Sequence, residues 1–204
     1  MSNPNYMMIT VAACTPDFLK DAIGHTNALA EELKAKAGAV TTRVGVISTG
    51  EHTGSLMLLQ TYSELNGIDA AFGVYGGSSN YDTLIGSGKI SVTLRNIIKL
   101  EDLGLANPST DMPGFGVMTR WGSADLMLDR AKALIPHFDA NGAMILRYGT
   151  IMTGSHAGRR LLAVGYPSMD AIEKTYASLQ GDPKYGQFIA DVEIDFRNIV
   201  RIVG

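Results

Sequence analysis

The chain has 204 residues, of which 46% are hydrophobic and 18% are charged, with a formal net charge of −3 at pH 7. A chain of this length can bury roughly 70% of the surface that it exposes when unfolded, so we expect an ordered globular protein. The small negative charge and the lack of basic runs interleaved with aromatic residues exclude a general affinity for nucleic acid. No apolar run reaches about 18 residues, so we expect no membrane partner.

The compartment is indicated by the N-terminal segment and by cysteine usage. Residues 1–5 have no positive charge of the kind that begins a signal peptide, and the apolar run that follows is short and typical of a strand. Cys14 is the only cysteine, which excludes an internal disulfide and fits a reducing compartment. We therefore expect a cytoplasmic protein.

The first hundred residues predict the order β-α-β-β-α-β. Tyr6–Ala13 is a short apolar run that is β-branched in its middle, which predicts a strand. Thr15 and Pro16 then predict a helix start, as N-cap and first helical residue, and an apolar stripe continues to the helix-ending Gly38. The remaining elements are a strand over 40–48, a glycine-flanked turn over 49–54, a strand over 55–62, a helix ending near Tyr75, a helical turn over 81–85 and a strand over 90–100.

The second half predicts the same order of elements. They are a strand over 115–121, a helix from Ser123 to about Ala140, a hairpin over 143–166, a helix over 168–180, a helical turn over 185–189 and a strand over 192–203. The segment between the halves is rich in Gly, Asn, Pro and Ser, which predicts a linker. We therefore expect a first repeat over residues 1–101, a linker over 102–111 and a second repeat over 112–204.

The two halves also share residues at a constant offset of 104 positions. The shared residues include Gly38, Arg43, Thr49, Gly50, His52, Gly54 and Tyr62, which recur as Gly142, Arg147, Thr153, Gly154, His156, Gly158 and Tyr166. Near the end of each half, the run Arg95–Ile98 recurs as Arg197–Val200 with a slip of two residues. A period near one hundred residues is far longer than a solenoid repeat, so each copy is a whole domain.

The strands that are central in this topology are apolar on both faces. Leu58 and Tyr62 share one face of the third strand, and Met57 and Leu59 share the other. A sheet with one face in water alternates apolar and polar residues, so both faces of this sheet need cover. Helices can cover one face and a second sheet the other. We therefore predict an α+β fold in which two ferredoxin-like units pack sheet against sheet, either within one chain or in a homodimer.

Three features support a resemblance: the duplicated topology, the strands that are apolar on both faces, and the turn Asp182-Pro183-Lys184-Tyr185 before the last strand. In these features, the sequence resembles the dimeric α+β barrel superfamily, here as a tandem fusion. The proline–tyrosine turn is similar to that of small barrel proteins in the antibiotic-biosynthesis-monooxygenase group. The resemblance covers the chain apart from the linker and implies a barrel of two four-stranded sheets with helices outside. The superfamily includes cofactor-free monooxygenases, isomerases and haem enzymes, so it does not select a reaction.

Three histidines are the candidate catalytic residues. His52 and His156 occupy the same place in the two glycine-flanked turns, where an imidazole can shuttle protons or can merely cap the turn. His25 lies on the apolar stripe of the first helix, where it could act as a general base or haem ligand, or be a hydrogen-bonded core residue. No two histidines and a carboxylate have the spacing of a zinc site, so we expect no metal.

Candidate ligand-binding residues are Tyr62, Trp121, Tyr166, Arg43 and Arg147. The tyrosines are paired across the copies, whereas Trp121 stands where the first copy has Ala12, an asymmetry that indicates a pocket in one half only. The paired arginines could hold a carboxylate bidentately or could lie in solvent, and Arg95 and Arg197 on the last strands have the same alternatives.

No catalytic signature stands in the sequence, so three interpretations remain open. The leading one is a small-molecule-binding barrel whose pocket lies between a sheet and its helices and takes a small hydrophobic ligand without a cofactor. The second is a cofactor-independent monooxygenase or isomerase that acts on a hydrophobic aromatic substrate, with a haem protein as a variant. The third is a non-catalytic assembly module.

Overall fold

The computed structural model describes residues 4–204. The first three residues of the predicted first repeat, which also belong to the segment examined for a signal peptide, lie outside the described residues. The first repeat contains β1 (Tyr6–Cys14), α1 (Leu19–Ala37), β2 (Thr41–Ile47), β3 (Leu56–Tyr62), α2 (Leu65–Gly77), α3 (Ser79–Gly86) and β4 (Ile90–Leu100). The second contains β5 (Phe115–Gly122), α4 (Leu128–Ala140), β6 (Ile145–Ile151), β7 (Arg160–Tyr166), α5 (Met169–Gln180), α6 (Pro183–Ala190) and β8 (Glu193–Ile202).

The strands form one closed antiparallel barrel in the order β1-β3-β2-β8-β5-β7-β6-β4. Each repeat supplies a four-stranded sheet with the ferredoxin-like order, in which its first and third strands are central. The sheets join where β2 pairs with β8 and where β4 pairs with β6. The predicted α+β fold of two tandem ferredoxin-like units is confirmed, and the two units pair within one chain.

The core has three parts because every sheet is covered on both faces. The barrel interior holds one apolar cluster, which includes Met7, Met57, Ile98 and Val200. The other two clusters lie between each sheet and its own helices. Burial of these side chains on both sides of the strands is the main stabilising contribution to such a fold.

The repeated turns hold the two sheets together reciprocally. In the first repeat, Thr49 Oγ1 accepts from the backbone N–H of Ile199 at 2.9 Å, and the Asn198 amide donates to the carbonyl of Glu51. The threonine contact recurs, and the asparagine contact recurs with a different carbonyl, at the opposite junction between the second repeat's turn and β4. There Thr153 Oγ1 accepts from the Ile97 N–H at 3.0 Å, and the Asn96 amide, oriented to satisfy its neighbours, donates to the Thr153 carbonyl at 3.0 Å. The repeated Thr-Gly and Asn-Ile motifs therefore add hydrogen bonds at both junctions where the sheets pair.

Two helix starts differ from the prediction. Thr15 follows the last residue of β1 and its N–H bonds the Lys89 carbonyl, and α1 begins only at Leu19, without a side-chain cap. The helix predicted from Ser123 begins at Leu128, since the Ser123 hydroxyl bonds the Asp125 carbonyl instead of capping a helix. The two predicted helical turns are eight-residue helices, α3 and α6, and their N-caps are Ser78 and Asp182. Within residues 4–204, no helix has both the length and the apolar character that a membrane crossing requires.

Candidate functional site

A cleft opens in the second repeat between the outer face of its sheet and helices α4, α5 and α6, and we call it the second-repeat cleft. Its cavity is about 50 Å³, and β5 contributes Thr119 and Trp121 to the sheet side. Ile189 and Ile194 also line it and are 40% and 37% exposed, which places apolar side chains at its mouth. A pocket between a sheet and its helices is therefore present in this half of the chain.

Trp121 is the most distinctive residue of the second-repeat cleft. Its side chain is 2% exposed and stacks on Tyr148, with ring centroids 5.5 Å apart and planes at 15°. Phe188 contacts the same indole edge-on, at 5.5 Å and 81°. The indole Nε1 is buried and has no hydrogen-bond partner among the described residues. An unpaired buried donor costs about 1–3 kcal/mol, so an acceptor that reached this N–H would remove that cost.

Arg197 provides the charge of the cleft. Its Nε donates to Thr119 Oγ1 at 3.2 Å, and its guanidinium carbon lies 4.8 Å from the centroid of the Tyr176 ring. These two contacts orient the guanidinium, while the residue as a whole is exposed. Its terminal nitrogens bond no side chain or carbonyl in the part of the chain that the structure describes. They can therefore donate to a bound anion.

The cleft contains hydroxyl groups but no general base. Burial raises the pKa of Tyr148 to about 12, and its hydroxyl donates to the Leu126 carbonyl at 2.5 Å. Burial also raises the pKa of Tyr176. No histidine, cysteine or carboxylate is among the described residues that line the cavity. At neutral pH, the cleft therefore offers hydrogen-bond donors and a cation, but no group that would take a proton.

The equivalent cleft of the first repeat keeps the arginine arrangement but has a different wall. Arg95 Nε donates to Thr10 Oγ1 at 3.1 Å, and its guanidinium carbon lies 4.7 Å from the Tyr75 ring centroid, as in the second repeat. Ala12, however, stands where the second repeat has Trp121. The sequence asymmetry thus falls on the wall of a cleft.

Three buried polar side chains of the first repeat form a hydrogen-bonded chain. Tyr62 donates to Gln60 Oε1 at 2.6 Å, and Gln60 Nε2 donates to the Tyr75 hydroxyl at 2.5 Å. Tyr62 and Tyr166 are 1% and 0% exposed, and neither is among the residues that line the two clefts. Both lie in the core under the helices, and burial raises the pKa of each.

The structure places the predicted histidines outside the clefts. His25 Nδ1 bonds Asn80 Oδ1 at 3.0 Å, across the contact between α1 and α3. His52 and His156 lie at the same end of the barrel, in the two turns that close it. His52 adopts φ 66° and lines a cavity of about 40 Å³ inside that end.

The same barrel end carries a charge network that the sequence did not indicate. Asp195 accepts from Arg120 Nε at 3.0 Å, and its other oxygen is 2.7 Å from Arg159 Nε. Arg120 replaces the first repeat's Val11 and is 7% exposed. Burial lowers the pKa of His156, with a smaller contribution from Arg120.

The sequence indicated Trp121 and Arg197 separately, but their partners were not recognised. Thr119 and Tyr176 were missed, although Thr119 pairs with Arg197 across β5 and β8 as Thr10 pairs with Arg95 across β1 and β4. This repeated Thr–Arg pairing was the available signal. It becomes visible only when the strands are in register.

The comparisons with known families are consistent with a duplicated chain. The family described as a domain of unknown function, DUF6854, matches residues 4–100 and again residues 117–202. The chain belongs to this family. No curated protein sequence matches the chain.

Several solved structures share the fold across nearly their whole length. A protein provisionally described as a monooxygenase from Fusobacterium nucleatum aligns with 100% of this chain and 94% of its own, at TM-score 0.71 and 9% identity. A haem-binding protein from Thermus thermophilus aligns over 100% and 96%, at TM-score 0.59 and 10% identity. A variant of chlorite dismutase from Candidatus Nitrospira defluvii aligns over 100% and 93%, at TM-score 0.64 and 6% identity. At such identities, the likeness shows the fold alone.

The two clefts, as far as the structure describes them, lack the side chains that most often hold haem iron. Iron in haem is held by an imidazole, thiolate, thioether or phenolate. The described lining residues include no histidine, cysteine or methionine, so only a tyrosine could hold the iron, and the hydroxyls of Tyr148 and Tyr75 already have protein partners. His137, on α4, is engaged at both ring nitrogens by Ser178 and Asp182, each at 2.8 Å.

Proposed function

We propose that the chain is a ligand-binding protein whose site is the second-repeat cleft, and that its ligand is a small, mainly apolar molecule that carries a carboxylate. The single observation that carries the proposal is the buried Trp121 Nε1, which has no partner among the described residues although Trp121 lines a cavity. Arg197 adds a guanidinium with free donors to the same cleft. Two donors without a lining carboxylate are complementary to an anionic acceptor.

The rest of the cleft fits the body of such a ligand. Leu134, Phe138 and Phe188 provide apolar contact, and the exposed Ile189 and Ile194 at the mouth extend that surface outward. The cavity of about 50 Å³ holds only a few water molecules. Binding of a larger apolar body beside Ile189 therefore requires the short helix α6 to move outward.

Binding is favoured over catalysis by the chemistry of the lining residues. A cofactor-independent monooxygenase or isomerase, the alternative that the resemblance to antibiotic-biosynthesis monooxygenases implies, needs a base to remove a substrate proton. The described lining residues supply none, and burial keeps Tyr148 and Tyr176 protonated. Because the described lining residues also lack the usual haem ligands, added haemin should give no shifted Soret band with the purified protein.

Tryptophan fluorescence tests the proposal directly, because Trp121 is the only tryptophan in the sequence. We expect octanoate to change the emission saturably and octan-1-ol to bind more weakly. A charge-assisted hydrogen bond contributes about 1.5–3 kcal/mol. Since 1.4 kcal/mol corresponds to about tenfold in Kd, octanoate should bind at least about tenfold more tightly.

The duplication supplies a matched control for this titration. Arg197→Met should abolish the preference for octanoate over octan-1-ol, whereas Arg95→Met changes the equivalent residue of the other repeat and should leave the preference intact. A flat titration with both ligands would reject the proposal and favour the assembly module. Equal losses in the two variants would place the ligand elsewhere.

A further inference from the structure

A separate cavity lies inside the barrel, at the end opposite the histidine turns. Arg43 lies near the start of β2 and Arg147 at the equivalent place on β6, whereas the turns follow the ends of these strands. Both arginines line this cavity, which is about 60 Å³. The two repeats therefore bring two like charges to one site, which is independent of the second-repeat cleft.

Neither guanidinium is neutralised by the protein. In residues 4–204, no carboxylate forms an ion pair with Arg43 or Arg147. Each Nη1 donates only to the preceding residue's carbonyl, at 2.7 Å for Arg43 and 3.1 Å for Arg147. The Nε of Arg147 is buried and has no partner within the same described range. Glu101 and Asp102 line a neighbouring surface depression with Arg147 without pairing to it.

Burial makes this arrangement costly unless an anion is present. Desolvation lowers the pKa of both guanidinium groups, which is the effect expected of a charge without a counter-charge. A buried charge without a partner is destabilising, whereas a paired and hydrogen-bonded one is tolerated. The site therefore favours any small anion that can reach it.

The remaining polar groups of the cavity are hydroxyls. Thr41 Oγ1 and Thr61 Oγ1 lie 2.7 Å apart, and both residues line the cavity. The other lining residues include the apolar Met57 and Val200. We propose that Arg43 and Arg147 together bind a small oxyanion, such as phosphate or a short carboxylate, inside this end of the barrel. The cavity volume limits the ligand to an ion of that size.

Isothermal titration with phosphate, sulfate and acetate, each at an ionic strength held constant with chloride, tests this site. Saturable binding of any one of them, with chloride inert, supports the proposal, and the phosphate and acetate arms distinguish tetrahedral from planar oxyanions. Heat that follows ionic strength alone, or no binding of any of the three at millimolar concentration, would overturn it.

Variants show whether the bound ion uses these arginines. Arg147→Gln should weaken binding by about tenfold or more, as expected for the loss of a hydrogen bond between charged groups. Arg201→Gln removes the same charge from an exposed residue near the same end and should change Kd less than about twofold, because exposed charges are largely screened by solvent and salt. Equal weakening in both variants would mean that the ion responds only to net charge.

Thermal unfolding tests the site by a measurement other than a binding titration. In buffer without oxyanions, Arg147→Met should raise Tm because it removes an unpaired buried charge. Added phosphate should raise Tm of the unmodified chain by mass action and leave that of Arg147→Met unchanged. A lower Tm for Arg147→Met without oxyanions would contradict the premise that the charge is unpaired. An equal phosphate effect on both proteins would contradict the site.

Discussion

Asn198→Ala tests the reciprocal closure of the barrel. The Asn198 side chain is 2% exposed and donates to the Glu51 carbonyl in the other repeat's turn. Removing the amide leaves that carbonyl without its donor and leaves a small void, which should cost about 2 kcal/mol, within the ~1–3 kcal/mol of an unsatisfied buried group. For a chain of about 200 residues, this corresponds to a fall in Tm of about 4–8 °C.

Thermal unfolding followed by circular dichroism measures this loss, with Asn107→Ala as the control. Asn107 is exposed and its side chain makes no hydrogen bond among the described residues, so its replacement should leave Tm within about 1 °C, as for most surface substitutions. Asn96→Ala, at the other junction, should lower Tm by a similar amount, because the Asn96 amide likewise donates to a carbonyl of the other repeat's turn. Equal Tm values for Asn198→Ala and Asn107→Ala would contradict a stabilising role for these contacts.

Three further predictions concern the same end of the barrel. Asp195→Asn should lower the free energy of unfolding by about 2 kcal/mol in urea titrations, less than the ~3–5 kcal/mol of a fully buried pair because the carboxylate is partly exposed; an unchanged midpoint would contradict the network. Burial lowers the pKa of His156, so the folded state resists protonation of this imidazole. The free energy of unfolding should therefore fall as the pH drops below about 6.5, and His156→Gln should flatten that dependence. A pH profile that is the same in His156→Gln would contradict this role. Gly50→Ala and Gly54→Ala both place alanine at positive φ, which should lower the free energy of unfolding by about 1–2 kcal/mol. Gly50→Ala should lower it further in urea titrations, because the new Cβ would also meet the Asn198 side chain. Equal losses in the two variants would contradict that contact.

The fold could be predicted from the sequence more completely than the site, because the duplication and the apolar pattern of the strand faces can be read from the chain itself. The constant offset identified two equivalent units, and the apolar residues on both faces of Leu56–Tyr62 required a second sheet. Pairing within one chain had to come from the structure, since residues at the junctions are the same in either arrangement. A homodimer stays a prediction, because one chain already completes the barrel; sedimentation at equilibrium would show it.

Functional residues were harder to predict because their roles depend on partners distant in sequence. The repetition of the turn motif indicated a role for His52 and His156. In the structure, the repeated threonine of that motif makes the contact between Thr49 and Ile199. Arg197 gains its orientation from Thr119, which is 78 residues away. Trp121 could be singled out from the sequence because it breaks the symmetry of the two halves.

The two arginine pairs show how the strand face decides a residue's role. Arg43 and Arg147 face the barrel interior, whereas Arg95 and Arg197 lie on the outer face of the sheet, under the helices. Both pairs had the same alternatives at the level of sequence, because a strand's side chains alternate between faces and the closed barrel alone makes one face internal.

The indole N–H resonance of Trp121 tests the central claim most directly. A ¹H–¹⁵N spectrum contains one such signal, since the sequence has one tryptophan, and it reports the donor that has no partner in residues 4–204. We predict that octanoate shifts this signal downfield in a saturable way and that octan-1-ol does so less. A resonance that stays in place while octanoate shifts other signals would contradict a carboxylate site in the second-repeat cleft.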